Sequence, residues 1–418
     1  MSEPDPAADD HEGRTAPLRN RNFRMLLGYR LLSILSYQTV AVTVGWHVYE
    51  LTRDPWMLGL IGLTEVLPYF CVAPFAGYLV DHLPRRKLGA AACIGLAITP
   101  LLLMSVALQW PFRSGIGAIY TAIALTGCVR AFLGPVYHAL FARALPRRQF
   151  VAGASLGSIA FQMAMVVGPA LGGMLIAVGG KPLAYGVATS FALIAVALLS
   201  RMGVTEPAPV LQRTPIFAGI AEGARFVLGH QVLLSALALD MFAVLFGGAI
   251  SLAPAFIRDI LHAGPEALGL LRASPALGAV LVGVWLARHP LQRDAGRTLL
   301  LAVAGFGLCM IGFGLSRWLW LSALILLLSG ICDGISMVIR STIMQLSTPD
   351  EMRGRVSSIN GLFVGSSNEI GAFYAGSMAR LLGLVPAVVL GGFATLGVVA
   401  TTAWKAPRLR RLDLRELH

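Results

Sequence analysis

Charge is scarce in this chain: 13% of its 418 residues are Asp, Glu, Lys or Arg, against 56% that are hydrophobic. A soluble domain carries about 25% charged residues, so no polar half remains that would fold as a separate globular enzyme. Clearly polar stretches are confined to the start up to about Arg24, to Thr205–His230 and to the tail after Trp404, each too short for a domain. Cysteine is also rare. Cys71, Cys93, Cys128, Cys309 and Cys332 fall inside apolar runs without paired spacing, which favours small packing residues over disulfides or metal ligands. No Gly-x-x-x-x-Gly-Lys-Ser/Thr loop occurs, so direct drive by ATP has no signature; a His-Glu-x-x-His zinc motif and a Gly-x-Ser-x-Gly elbow are missing too. His47, His82 and His138 are scattered in depth and assemble no catalytic pair, so an enzyme is not expected. The segment Met1–His11 is acidic and polar, unlike the basic start of a secretory signal.

What is present is a series of long apolar runs. About 20 apolar residues cross a hydrocarbon core as a helix. Runs of that kind lie near Phe23–Tyr49, Met57–Val80, Leu88–Leu108, Gly115–Leu140, Val151–Val178 and Leu183–Val204. After a polar break come Leu233–Phe256, Ala267–Ala287, Thr298–Leu315, Leu319–Leu346, Val356–Leu382 and Pro386–Trp404. The expectation is an all-α, twelve-pass membrane protein built as two pseudo-symmetric six-helix bundles, residues 23–204 and 233–404. Residues 1–22, 205–232 and 405–418 are the tails and the central loop.

The formal charge of +12 would suit nucleic acid, but the cations sit in short loops between apolar runs, so no nucleic-acid partner is expected. Counted loop by loop, one side collects the Lys and Arg residues in a ratio of roughly four to one. That side holds Arg14–Arg24, Arg85–Lys87, Arg143–Arg148, Arg288–Arg297, Arg353–Arg355 and the tail from Lys405. The bias places both termini in the cytoplasm and supports an even number of passes. The halves also resemble each other. A shift of about 203 residues lays Pro146 on Pro349, Gly168 on Gly371, Gly173 on Gly376 and Arg130 on Asp333. Two parallel six-helix repeats, with a site between them at mid-membrane, are a transporter plan.

Three motifs carry chemistry. After the second run the chain reads Gly77-Tyr-Leu-Val-Asp81-His-Leu-Pro84-Arg85-Arg86-Lys87. Gly77 is expected to let a neighbouring helix approach, Asp81 to meet a cation or helix N-terminus, and the basic cluster to anchor the loop. In the fifth run, Gly168-Pro169-Ala170-Leu171-Gly172-Gly173 combines a proline bend with glycines expected to pack tightly on the other half. Arg130, with Gly134 and Pro135, lies inside the fourth run. The first motif resembles the signature loop of the major facilitator superfamily, with Pro84 near where that family often has glycine. The second resembles the superfamily's antiporter motif, and the third a motif in which a buried arginine adjusts nearby proton binding. Leu239-Asp240 through Phe246-Gly247-Gly248, Gly264-Pro265-Glu266, Leu270 to Pro275, and Met352-Arg353-Gly354-Arg355 followed by Asn360-Gly361 resemble a branch of drug-efflux permeases that includes enterobactin exporters. The resemblance runs from about Phe23 to Trp404 and implies the facilitator fold and secondary export.

Charges inside a bilayer tend to face a cavity or find a partner. The deep acids are Glu65, Asp240, Asp333 and Glu369; Asp333 and Arg340, seven residues apart, share one helix face and are able to pair. Burial raises a carboxylic acid's pKa and a nearby arginine lowers it, so for each acid a structural ion pair and a proton-coupling role both stand open. Asp240 and Glu369 lead because neither has a same-helix cation one or two turns away. Tyr37, Gln38, Phe161, Gln162 and Asn368 are candidates for the wall of a substrate cavity, with ordinary helix packing as the competing reading. The expected function is proton-coupled export of a small amphipathic molecule, such as a siderophore or drug, by a monomer in the cell inner membrane. The proton gradient is the energy source, with no cofactor and no metal. A proton-coupled nutrient importer is the rival, and a transport-inactive sensor or partner on the same scaffold is a third class.

Overall fold

A computed structural model describes residues 17–109, 115–204, 216–289, 294–349 and 352–413. Fourteen helices follow in order among the described residues. They are α1 (Arg21–Thr52), α2 (Pro55–His82), α3 (Arg85–Ala107), α4 (Ile116–Ala144), α5 (Phe150–Ser200), α6 (Ile216–Gly229) and α7 (Gln231–Phe246). Then come α8 (Ala253–Asp259), α9 (Pro265–Arg288), α10 (Ala295–Leu315), α11 (Leu319–Ser347), α12 (Arg353–Leu382), α13 (Leu384–Lys405) and the short α14 (Pro407–Arg410).

Ten segments among the described residues are long and apolar enough to cross a membrane. One of them, Arg147–Ser200, spans 54 residues and holds two passes, because α5 breaks at Gly179 and Gly180, the latter at φ +71°. A left-handed φ costs glycine nothing, so this pair reverses the chain with no loop. α12 adds 30 residues, enough to span although it is more polar. The architecture is all-helical and consistent with the twelve passes expected. Large apolar side chains such as Leu301, Leu308, Met174 and Leu193 are exposed, as a lipid-facing surface requires. Trp318, Trp320 and Trp404 are exposed at helix ends, where indole rings favour the membrane interface.

Two passages depart from the sequence reading. The run Leu233–Phe256 is not one helix: α7 ends at Phe246, a 3-10 turn covers Gly248–Leu252, and α8 resumes at Ala253. Gly247 and Gly248 explain the break. The Gly247 N–H still donates to Ala243 O at 2.8 Å, and Gly248 lies against the backbone of Gly371 on α12. The central segment, expected as loop, contains α6, which packs through Val227 against Leu233, Leu237, Val356 and Ile359.

Packing divides the chain into two compact units. The first comprises Met1–Val44 and Leu67–Gln212, and the second comprises Gly45–Val66 and Arg213–His418. In the first unit, Phe23, Leu26 and Tyr29 of α1 form a core with Cys93, Val136, Leu140 and Leu199. In the second, Leu239 and Ala243 of α7 pack with Leu299, Val303, Ile339, Ile343 and Leu409. The helix hairpin tip Gly45–Val66 is therefore part of the second unit. A Cβ added at Gly62 would lie 2.5 Å from Glu369 O, and one at Gly376 would lie 2.7 Å from the Gly59 Cα. The same tip is held by Trp56 against Phe373 (ring centroids 5.0 Å apart), by Arg380 with Asp54 (3.6 Å) and by Arg53 with Asp259 (4.0 Å). The Tyr49 hydroxyl also donates to Asp259 Oδ2.

The internal repeat is visible in three dimensions. Gly168 of α5 packs on Leu35 and Gln38 of α1, and its counterpart Gly371 of α12 packs on Val244 and Leu245 of α7. The Ser36 hydroxyl of α1 donates to Ala188 O on the second arm of α5, and the Thr395 hydroxyl of α13 donates to Ala243 O on α7. Each unit thus repeats the same helix partnerships.

Glycine contacts of this kind set a test of the packing. A Cβ at Gly330 would collide with the Pro275 carbonyl, whereas nothing lies within 4 Å of one at Gly397. Gly330→Ala is expected to lower the melting temperature in detergent by several degrees. Gly397→Ala should hold or raise it, since alanine gains about 1 kcal/mol of helix propensity over glycine. Equal melting temperatures for the two variants would contradict the α9–α11 packing.

Candidate functional site

The densest ionisable cluster lies in the second unit, where α7 faces α11. Asp240 and Arg340 are both buried, at 4% and 9% exposure, and form an ion pair between Oδ2 and Nη1. Arg340 Nε also donates to Ser336 Oγ at 3.3 Å, one turn back on α11. Asp333, two turns from Arg340 on the same helix, is half-buried. The sequence allowed Arg340 to pair with Asp333; the structure gives its ion pair to Asp240 instead. A same-helix spacing of seven shows which face two residues share but not which residue of the next helix reaches between them. The reason for preferring Asp240, its lack of a cation along its own helix, is corrected by the same observation.

Arg340 cannot be removed without leaving a buried carboxylate exposed to hydrocarbon, and the converse holds for Asp240. Breaking a buried pair from one side costs about 3–5 kcal/mol, whereas replacing both partners by apolar residues is often neutral. The pair also sits close to the interruption after Phe246, seven residues along α7 from Asp240 to Gly247. Discontinuous membrane helices are where transporters tend to build their sites. A change of charge at Asp240 is therefore placed seven residues from the point where α7 is interrupted.

The other expected coupling residues are dispersed. Glu65 is buried on α2, and Glu369 is half-buried on α12. Both belong to the second unit, and the Glu369 carbonyl is the atom against which Gly62 packs. Asn368, beside it, is exposed and donates to Val364 O on its own helix at 3.0 Å.

In the first unit the charge has the opposite sign. Arg130 Nη1 donates to the Tyr37 hydroxyl at 2.8 Å, and its guanidinium lies 4.9 Å from the Tyr37 ring and 5.6 Å from the Tyr69 ring. Tyr37 is thus brought to Arg130, a pairing that no spacing on either helix disclosed. Gln38 Nε2 donates to Met165 Sδ at 3.3 Å, while Gln162 is half-buried. Phe161 lies beneath Arg30, with the guanidinium 5.3 Å from its ring. Arg30 and Tyr137, 3.9 Å apart by the same measure, were not among the expected site residues. The available signal was an arginine seven residues inside an apolar run.

The motif glycines differ from expectation. Gly168 and Gly172 approach α1, at Gln38 and at Thr39 and Val42, within their own unit. Pro169 and Gly173 are buried beside them. Sequence shows that a glycine permits close approach and leaves the approaching helix unspecified. Among the described residues nothing lies within 4 Å of a Cβ at Gly77, so that glycine is not a contact point here. The side chain of Asp81 lies outside the described residues, as do those of Arg353 and Arg355. Arg85 Nε donates to Val80 O at 3.3 Å, and Arg86 Nη1 donates to Met202 O. These two arginines are thus tied to the carbonyl ends of helices, where cations offset the helix dipole.

Paired helical repeats with ionisable side chains buried in their membrane passes fit a membrane transporter of the major facilitator type. Within that class, the chain belongs to the family described as transmembrane secretion effector, which matches residues 12–417. It is 26% identical over 388 residues to the enterobactin exporter EntS of Shigella boydii serotype 18, covering 90% of this chain and 89% of that protein. It is also 26% identical over 385 residues to the multidrug efflux pump Tap of Mycolicibacterium fortuitum, covering 89% and 92%. Among solved structures, a bacterial homologue of the human lysosomal transporter Spinster, in an inward-facing and unoccupied conformation, superposes with a TM-score of 0.73 at 15% identity. That match covers 100% of this chain and 98% of the other. The nucleoside transporter NupG (D323A mutant) gives 0.68 at 15% identity, covering 92% and 99%. The protein is accordingly a multi-pass membrane transporter for a small molecule, and not an enzyme.

The ion pair yields a stability test. Asp240→Asn or Arg340→Gln alone should lower unfolding stability by about 3 kcal/mol. The combined Asp240→Leu and Arg340→Met variant should recover most of that loss. Thermal unfolding of the purified protein in detergent reads both, and additive losses in the double variant would show that the two side chains are not paired.

Proposed function

We propose that this protein is a proton-coupled exporter of a small amphipathic molecule. It works as a monomer in the bacterial inner membrane, with both termini in the cytoplasm. The observation that carries the proton-coupling reading is the buried Asp240–Arg340 pair beside the interrupted α7. While Asp240 is ionised it holds Arg340. A proton delivered to Asp240 removes that charge, frees the guanidinium and changes the forces on the segment from Gly247 to Leu252. Asp333, on the Arg340 helix, is the second acid through which the proton passes. Export, in preference to import, is supported by the relatives: the matched proteins are named as an enterobactin exporter and a multidrug efflux pump. The Lys and Arg bias of the loops supports the orientation.

In such a cycle, proton and cargo occupy the protein alternately. The outward-open form takes a proton on Asp240, and the inward-open form loses it and accepts cargo. The energy source is the proton gradient, and no cofactor takes part. Glu65 and Glu369, both within the second unit, are not assigned to the proton path.

Proteoliposomes with an imposed pH gradient test this, with a siderophore, a macrolide and lipophilic cations as trial cargoes. Addition of a transported compound to acid-loaded vesicles is expected to release protons. Asp240→Asn should abolish the release while the protein still binds cargo. Undiminished, pH-independent transport by the Asp240→Asn variant would remove Asp240 from the mechanism. Cargo accumulation in intact cells overexpressing the protein, in place of depletion, would establish import.

A further inference from the structure

The deep carboxylates are confined to one unit, which also carries Arg272 and Arg340. Asp240, Asp333, Glu65 and Glu369 all belong to the second. On the membrane helices of the first, the single acid is Asp81, at the last turn of α2, whereas Arg30 and Arg130 lie well inside. Arg30 is nine residues in from the start of α1, about 13 Å along the axis at 1.5 Å per residue. Among the described residues no carboxylate pairs with it, and its buried Nε has no hydrogen-bond acceptor. A cation at such a depth is costly without a counter-charge. Arg340 has Asp240 for that purpose; Arg30 has two aromatic rings and the Tyr137 hydroxyl, which takes a hydrogen bond from it.

Those rings are arranged as a cage. The guanidinium lies 3.9 Å from the Tyr137 ring centroid and 5.3 Å from that of Phe161. Tyr137 is fixed in place, since its hydroxyl abuts Gly157 on α5 and its ring stacks at an angle on Phe141 and His138. Phe161 is the open wall, 38% exposed. With one flat face covered and one N–H given to the Tyr137 hydroxyl, the guanidinium keeps an N–H edge that includes the unsatisfied Nε. That edge matches the two oxygens of a carboxylate. A flat ring carrying the oxyanion would lie against Phe161, so charge and aromatic surface would be recognised together.

We propose that Arg30, with Tyr137 and Phe161, forms a cargo subsite that takes the oxyanion of an aromatic molecule. This rests on the transporter reading above and narrows its cargo to compounds that are anionic and aromatic at neutral pH. The subsite is built on α1, α4 and α5 of the first unit, apart from the Asp240–Arg340 pair that answers to the proton.

Equilibrium binding tests it on the full chain, reconstituted in nanodiscs of zwitterionic phosphatidylcholine and with no gradient imposed. The probes are fluorescent 2-naphthoate and its uncharged amide. The acid is expected to bind about tenfold more tightly than the amide, a preference supplied by charge-assisted hydrogen bonds. Arg30→Gln should erase the preference. Arg30→Lys, which keeps the charge and guards against misfolding, should retain only part of it, and Tyr137→Leu should weaken both probes. Equal affinity for acid and amide, or a preference unchanged in Arg30→Gln, would overturn the proposal. In discs containing anionic phosphatidylglycerol, persistence of the preference supports a soluble cargo. Its loss there would assign the subsite to a lipid phosphate and overturn the cargo reading. Because no gradient is used, failure here leaves proton-driven export standing, and absence of proton-coupled flux leaves the binding result intact.

Discussion

Hydrocarbon offers no partner to a backbone N–H or C=O, so every such group in the membrane must be satisfied within the protein. The rest of this structure follows from that constraint. It forces each pass into a helix and leaves packing, in place of water, to hold the helices together. Close approach at small residues then becomes the main means of association. The Gly168 contact on α1 and the Gly371 contact on α7 are two instances of one solution, repeated in each unit. Where the backbone does leave the helix, it does so at glycine and keeps its bonds. The Gly247 N–H returns to Ala243 at the interruption of α7.

The same medium governs the charges. An isolated ion inside the bilayer is unstable, so each one discloses what accompanies it. In the second unit a carboxylate and a guanidinium satisfy each other, and the state of one sets the state of the other. In the first unit the arginines lie against tyrosine and phenylalanine rings. Rings stabilise a cation only partly, because cation–π attraction is weaker than a full counter-charge. The division places the deep carboxylates in one half of a pseudo-symmetric protein, beside Arg272 and Arg340, and leaves only arginines deep in the other. A shift of 203 residues that lays Arg130 on Asp333 already contained that inversion of sign.

Length and periodicity made the passes readable from the sequence, because a membrane of fixed thickness sets a fixed run length. The fifth and sixth runs, separated at Gly179 and Gly180, emerged within a residue or two of their positions except at the far end of the sixth, where the helix stops at Ser200. Relations between helices were less legible. Asp333 and Arg340 share a face, yet it is Asp240 from another helix that reaches Arg340, and nothing in one helix's spacing encodes its neighbour's. Gly168 and Gly172 were recognisable as contact residues, but their partner proved to be α1. Gly77 belongs to a recognisable motif and touches nothing among the described residues. The break after Phe246 was hidden because Gly247-Gly248 lies in a continuous apolar run, and hydropathy is blind to a change of helical path.

The turn at Gly179–Gly180 also ties the two arms of α5 to one depth. Two residues extend at most about 7 Å, so the ends of the arms, at Val178 and Lys181, cannot lie far apart. A shift of one arm along the bilayer normal therefore carries the other with it.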